Sequence, residues 1–291
     1  MATTTDNHTN AALEKETSVT TGAANPNGAN AGNTAAGAPN YGYGYNPLLH
    51  QHSGPEPRLP AFGGEFQPGL WKGTEHRKFA NPAPLGLCGF ALTTFVLSLI
   101  NLNTRDVTRP NIVLALAFGY GGLVQLLAGM WEMAVGNTFG ATALSSYGGF
   151  WISYAILLTP GFNALDAYTD SAEEGSALGF FLFGWFIFTT ILLLCTLRST
   201  VMFFLLFFTL DLAFLMLACA DLAKSNGNAS AGMSLQHAGG GFGILAAFLA
   251  WYNAFAGIAD NTNSFFTIPV FHFPWSEKGR AARGKTEREV A

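Results

Sequence analysis

From Pro82 onward the chain falls into apolar runs of about twenty residues, the length at which a helix rising 1.5 Å per residue crosses roughly 30 Å of hydrocarbon. Six runs follow one another, at 83–101, 111–135, 138–159, 175–197, 201–222 and 235–259. They lack the ten-residue alternation of a membrane β-strand, and backbone polar groups inside lipid must be satisfied within the segment, so each run predicts a helix. The expected fold is an all-α membrane protein, a six-transmembrane-helix bundle occupying 81–260. Residues 1–80 are rich in Ala, Gly, Asn, Thr and Pro and include the alternation Tyr41-Gly42-Tyr43-Gly44-Tyr45, with no helical or strand period. Such a stretch buries too little apolar surface to offset its ordering entropy, which predicts a disordered N-terminal tail. Near its end, Phe66, Leu70 and Trp71 beside Lys72, His76, Arg77 and Lys78 suggest a short amphipathic piece on the membrane surface. Residues 261–291 form a second, C-terminal tail.

Charge sharpens this picture. Only 11% of the chain is charged, with 14 basic and 18 acidic residues and a net charge of −4, against about 25% charged in a typical soluble domain. Between 81 and 271 the only basic residues are Arg105, Arg109, Arg198 and Lys224. So little charge cannot cover a soluble surface, which excludes a cytosolic enzyme and a nucleic-acid binder. No catalytic residue and no cofactor is expected. The glycines at 239–241 and 243 read as close helix packing, since no strand precedes them and no Lys-Ser/Thr follows. Cys88, Cys195 and Cys219 lie in apolar runs without paired spacing and are expected as small buried hydrophobes, with no metal site.

An even number of spans puts both termini on one side. Lys72, Arg77, Lys78, Arg198 and the five basic residues of the C-terminal tail lie on that side, against Arg105, Arg109 and Lys224 on the other. The Lys/Arg bias therefore places both termini in the cytoplasm. The N-terminus has neither a basic n-region nor an apolar core, so insertion is expected to begin with the first span. The acidic loop Asp166, Asp170, Glu173 and Glu174 falls outside, with the sequon at Asn228. The other sequon, at Asn7, falls inside, so Asn228 alone is expected to accept a glycan.

Polar residues within the spans carry the candidate chemistry. Glu132 is an expensive intramembrane carboxylate. Gln125 lies seven positions earlier on the same helical face, with Ala128 and Gly129 between them, a polar stripe against small residues. The stripe suits a pore vestibule in which Glu132 binds a proton or a cation and Gln125 hydrogen-bonds a carboxylate. Glu132 also reads as a helix-end carboxylate bonded to amides of Asn137 or Thr138. Asn137 and Thr138 open the third span as Asn81 and Pro82 open the first; such residues cap free amides and also suit an anion at a helix start. Asp211, in the fifth span, is a second proton site, a partner for a polar group on another helix, or an intersubunit contact. His237 reads as an interface residue.

The string Asn81-Pro82-Ala83-Pro84-Leu85-Gly86-Leu87-Cys88-Gly89-Phe90 resembles the signature of the acetate uptake transporters, the acetate and ammonium permeases of fungi and bacteria. Gly121-Gly122 with Gln125, Ala128-Gly129 and Glu132, the Gly-Asn-Thr-Phe-Gly segment 136–140, Ser146-Tyr147-Gly148 with Phe150-Trp151, and Thr196-Leu197-Arg198 follow the same pattern in order. The resemblance covers about 79–275, and the long N-terminal tail is similar to the fungal branch. It implies a plasma-membrane protein for proton-linked uptake of acetate and other short monocarboxylates, a six-span protomer assembling as a homo-hexamer with one pore per protomer. It also implies a hydrophobic constriction at Phe90, Tyr147 and Leu210. By residue type, Thr93, Thr94 and Trp151 are expected to add contacts along the same path.

An apolar ring within a pore obstructs charged solutes by forcing dehydration, and each methylene that no longer fits shifts binding by roughly 0.8 kcal/mol. Two rival readings stand beside acetate transport: an ammonium exporter on the same fold, and a membrane sensor signalling acetate through the N-terminal tail.

Overall fold

The computed structural model of the protein describes residues 79–290, with side chains through 284. The expected disordered tail up to residue 78, its amphipathic end at Phe66 to Lys78 and the sequon at Asn7 lie outside the described residues.

Seven helices follow: α1 (Ala83–Asn101), α2 (Asn111–Val135), α3 (Thr138–Leu158), α4 (Ser171–Cys195), α5 (Val201–Ser225), α6 (Ala229–Ile258) and a charged α7 (Glu277–Val290). Pro82 and Pro84 sit at the start of α1, where the first amides have no intrahelical partner to lose. Side-chain oxygens of Asn137, Asp170, Thr200 and Asn228 accept from the first free amides of α3, α4, α5 and α6. The Asp170 and Asn228 caps explain why α4 and α6 start before the apolar runs do: their polar first turns reach past the hydrocarbon. Between α2 and α3 the chain reverses in two residues because Gly136 adopts a left-handed φ of 86°.

α2 contains a π-helical turn, Gly119–Val124, lying against α1. Regular α-helix resumes at Gln125, so the face bearing Gln125, Ala128, Gly129 and Glu132 is continuous, and all four are buried. α1 packs between α2 and α6, α2 against α3, and α5 between α4 and α6. α3 and α4 meet through long side chains, with ring centroids 5.8 Å apart for Phe150–Phe181 and 6.2 Å for Tyr147–Trp185. The six helices thus close into a ring. The end at which α1 begins is called the near end, the other the far end.

Five of these helices are long and apolar enough to cross a membrane by length and hydropathy alone, and α3 is the exception. It has 21 residues and no charge, but its Thr, Ser, Gly and Tyr content lowers its hydropathy. Being packed against α1, α2 and α4, it does not need to match lipid. Elsewhere small residues lie inside and large ones outside: Ala246, Ala247 and Ala250 of α6 are wholly buried, while Trp131, Phe180, Ile191 and Phe248 face outward. That inversion corrects one expectation, because Cys195 is exposed and Cys88 and Cys219 are half-buried. In lipid, an apolar residue gains as much on the outer face as in the core.

After α6 the chain returns across the near end. The Val201 amide donates to the Phe271 carbonyl at 2.8 Å, Thr200 and His272 form an isolated bridge, and the Trp275 indole donates to the Leu197 carbonyl at 2.7 Å. Burial, and then the Lys278 ammonium, hold the His272 imidazole below its ordinary pKa. α7 follows; its charged sequence carries no apolar period from which to predict it.

α2 and α3 approach closely. A Cβ at Gly148 would stand 2.7 Å from the Leu126 backbone nitrogen, which cannot move aside. Gly148→Val is expected to cost about 1–3 kcal/mol by overpacking, read as a lower thermal midpoint in detergent, whereas Gly149→Ala, beside open space, leaves the midpoint unchanged.

Candidate functional site

Two cavities lie along the inside of the ring. The near one, about 30 Å³, is walled by residues including Leu87, Gln125, Leu144 and Tyr147. The far one, about 230 Å³, is walled by residues including Thr94, Trp151, Tyr154 and Lys224. Phe90 of α1 and Leu210 of α5 line both cavities and therefore form the septum between them. Tyr147 of α3 presses on that septum, its ring centroid 5.9 Å from that of Phe90. All three are at most 5% exposed. They come from alternate helices of the ring, so the bundle narrows to an apolar collar.

Hydroxyls of α4 position two parts of this collar. Tyr147 and Thr189 hydroxyls share a hydrogen bond of 2.9 Å, which turns the phenol oxygen away from the septum. One residue on, Thr190 Oγ1 donates to Asp211 Oδ1 at 2.9 Å. Asp211 is the neighbour of Leu210, so its bond to Thr190 pins α5 to α4 at the level of the septum. Asp211 thus has a polar partner on another helix in Thr190.

Buried polar atoms on the two sides of the collar lack the partners that Tyr147 and Asp211 have. Among the described residues, neither amide atom of Gln125 has a hydrogen-bond partner, nor do Thr94 Oγ1 and Trp151 Nε1. Leaving such groups bare costs about 1–3 kcal/mol each. Gln125 lines the near cavity, and Thr94 and Trp151 line the far one. The near cavity's surface is wholly apolar, so the Gln125 amide lies just behind its wall, and Thr94 Oγ1 and Trp151 Nε1 are likewise enclosed, unused donors buried beside each cavity. A carboxylate only accepts hydrogen bonds, and these donors match it.

Glu132 lies two turns beyond Gln125. Its Oε2 accepts from Asn137 Nδ2 at 2.7 Å, while Asn137 Oδ1 accepts from the Gly140 amide at 2.9 Å. The second oxygen, Oε1, is buried without a partner among the described residues. The carboxylate is thus held by one oxygen and unpaired at the other, fully buried and lining neither cavity, its geometry fixed by the cap of α3.

A family model, described as the GPR1/FUN34/yaaH family, matches residues 62–275. The chain belongs to the GPR1/FUN34/yaaH family. It is 67% identical over 253 residues to "Acetate permease A" of Emericella nidulans, covering 85% of this chain and 84% of that protein. It is 52% identical over 219 residues to "Ammonia transport outward protein 2" of Saccharomyces cerevisiae, covering 75% of each. The solved structure of the bacterial acetate channel SatP superposes with a TM-score of 0.57 at 36% identity, over 66% of this chain and 99% of that one.

In this GPR1/FUN34/yaaH chain the sequence-predicted residues separate by position. Phe90, Thr94, Gln125, Tyr147, Trp151 and Leu210 line the cavities. Thr93 packs against Gly121 and donates to the Gly89 carbonyl at 2.8 Å. Asn81 accepts from the Ala83 amide at 3.2 Å, at the start of α1. Thr138 is exposed and lines neither cavity. Asn228 is exposed at the far end, capping α6. His237 lies 3.2 Å from the Asn103 amide nitrogen, joining α6 to the segment after α1. Sequence reasoning missed Thr189 and Thr190, although two successive hydroxyls in a Phe- and Leu-rich span were the available signal.

Thr190→Val keeps shape but leaves Asp211 with one bond fewer, so the thermal midpoint is expected to fall by the equivalent of about 1–3 kcal/mol. Adding Asp211→Leu to that variant is expected to recover part of the loss. A midpoint unchanged by Thr190→Val would remove the α4–α5 clamp.

Proposed function

We propose that the chain carries acetate and similar short monocarboxylates, with protons, through the axis of each protomer. The observation that supports this reading best is the apolar septum at Phe90 and Leu210, with an unpaired donor set on either side. A turn of these side chains brings the enclosed donors to a carboxylate on each side, and the collar excludes a fully hydrated ion. A bare carboxylate pays several kcal/mol to leave water, so protonation eases its passage through the collar. Relatives named as an acetate permease and an acetate channel agree with that chemistry.

The protein works in the plasma membrane as a homo-hexamer, with both termini cytoplasmic. The near end, carrying Arg198 and the basic α7, then faces inward, and the exposed Asn228 faces outward as the glycosylation candidate. The transmembrane unit comprises 81–260, flanked by tails at 1–80 and 261–291. Glu132, through its unpaired oxygen, is the proton site on the near side. The ammonium reading has its own support: the acceptor oxygens Gln125 Oε1 and Glu132 Oε1 are also unpaired, and one relative is named for outward ammonia transport.

Uptake of labelled acetate into vesicles at two pH values, with unlabelled acetate, lactate and ammonium as competitors, distinguishes these readings. Faster uptake at acid pH, inhibited by acetate and not by ammonium, is expected. Leu210→Ala widens the septum and is expected to raise the lactate-to-acetate ratio several-fold, as loss of a steric limit of one or two methylenes implies. Ammonium as the better competitor would overturn the acetate reading, and an unchanged ratio in Leu210→Ala would overturn the septum as selectivity filter.

A further inference from the structure

The far cavity has a feature that septum and collar do not use. Its wall includes the three titratable residues Tyr154, Asp221 and Lys224, and among the described lining residues Lys224 is the only cation and Asp221 the only acid. Asp221 and Lys224 lie one turn apart on α5, and Lys224 Nζ stands 3.8 Å from Asp221 Oδ1, beyond direct hydrogen-bond range. The same ammonium donates to the Gln236 side-chain oxygen on α6. The Lys224 side chain remains 38% exposed and that of Asp221 26%. A lysine carries three donors. One is spent on a neutral amide and the acid holds its charge only loosely, so a carboxylate entering the cavity finds an ammonium in place and within reach.

We propose that Lys224, flanked by Gln236 and Asp221, is a carboxylate-capture site, which binds the monocarboxylate anion in the far cavity before it reaches Phe90 and Leu210. The site rests on the acetate-transport reading and adds a specific residue to it. Gln236 orients the ammonium. Asp221 competes with the incoming anion, weakening its hold enough for it to move on toward Thr94 and Trp151. Tyr154 on α3 faces the same space as a neutral hydroxyl-bearing ring. The α4 side of the wall contributes Leu178, Phe181 and Leu182 and no charge. Binding at Lys224 therefore depends on the charge of the substrate.

The test is equilibrium exchange of labelled acetate across proteoliposomes holding the purified full chain, with equal acetate on both faces so that orientation does not matter. Wild-type exchange tests the transport reading. Lys224→Gln is expected to raise the half-saturating acetate concentration about tenfold at neutral pH, the loss of one charge-assisted hydrogen bond, with maximal rate nearly unchanged. At a pH where acetate is mostly protonated the difference is expected to vanish. Lys224→Arg is expected to restore the wild-type value, and Asp221→Asn to lower it. No exchange by the wild type would overturn both readings. Exchange by the wild type with an unshifted Lys224→Gln would overturn the capture site alone. So would a fall in maximal rate at every pH that Arg does not rescue, because a merely structural lysine behaves in that way.

Discussion

Every polar atom taken into the core of this bundle must find a hydrogen-bond partner there or be supplied with one, since leaving it bare costs about 1–3 kcal/mol. The pairing pattern divides the core in two. Tyr147 with Thr189 and Asp211 with Thr190 are paired across helices, and Glu132 Oε2 is paired with Asn137 across the turn between α2 and α3 while Glu132 Oε1 stays unpaired. Those bonds hold α3, α4 and α5 and the turn into α3 in register. Gln125, Thr94 and Trp151 carry atoms left unsatisfied, and these three line the cavities. Paired groups hold the collar in place; of the residues with unpaired atoms, Gln125, Thr94 and Trp151 belong to the cavity walls, whereas Glu132 and Ser145 do not.

The collar itself follows from that division. Because the Tyr147 hydroxyl is committed to Thr189, the face turned to Phe90 is ring carbon. Asp211, the acid adjacent to Leu210, is likewise committed to α4. Both polar groups are drawn outward, leaving aromatic and aliphatic surface at the narrowest point. Close approach of α2 and α3 at Gly148 and alanine packing along α6 bring the walls near enough for three side chains to close the gap.

How much of this was legible in the sequence depended on whether the signal was local. The spans could be read from run length, and the cap of α3 from Asn137, because both are properties of contiguous residues. The seven-residue spacing of Gln125 and Glu132 survived the π-helical turn only because that turn ends at Val124. Features that depend on two helices meeting were not legible. Thr190 is 21 residues from Asp211, and nothing in either run announces the bond. Cys195 was misplaced because an apolar run does not say which face meets lipid. α3 falls below the hydropathy of a lone span because its neighbours replace lipid around it. Lys224 was counted for topology, and its place on a cavity wall appeared only once α5 and α6 were side by side.

The central claim is that cargo passes through the septum inside one protomer rather than between protomers. Leu210→Trp tests it most directly, by filling the collar from the one member that is not aromatic. Labelled acetate flux through the reconstituted variant is predicted to fall to the level of empty vesicles, while thermal midpoint and assembly size stay near wild type. Flux at the wild-type rate through a folded Leu210→Trp would contradict the account.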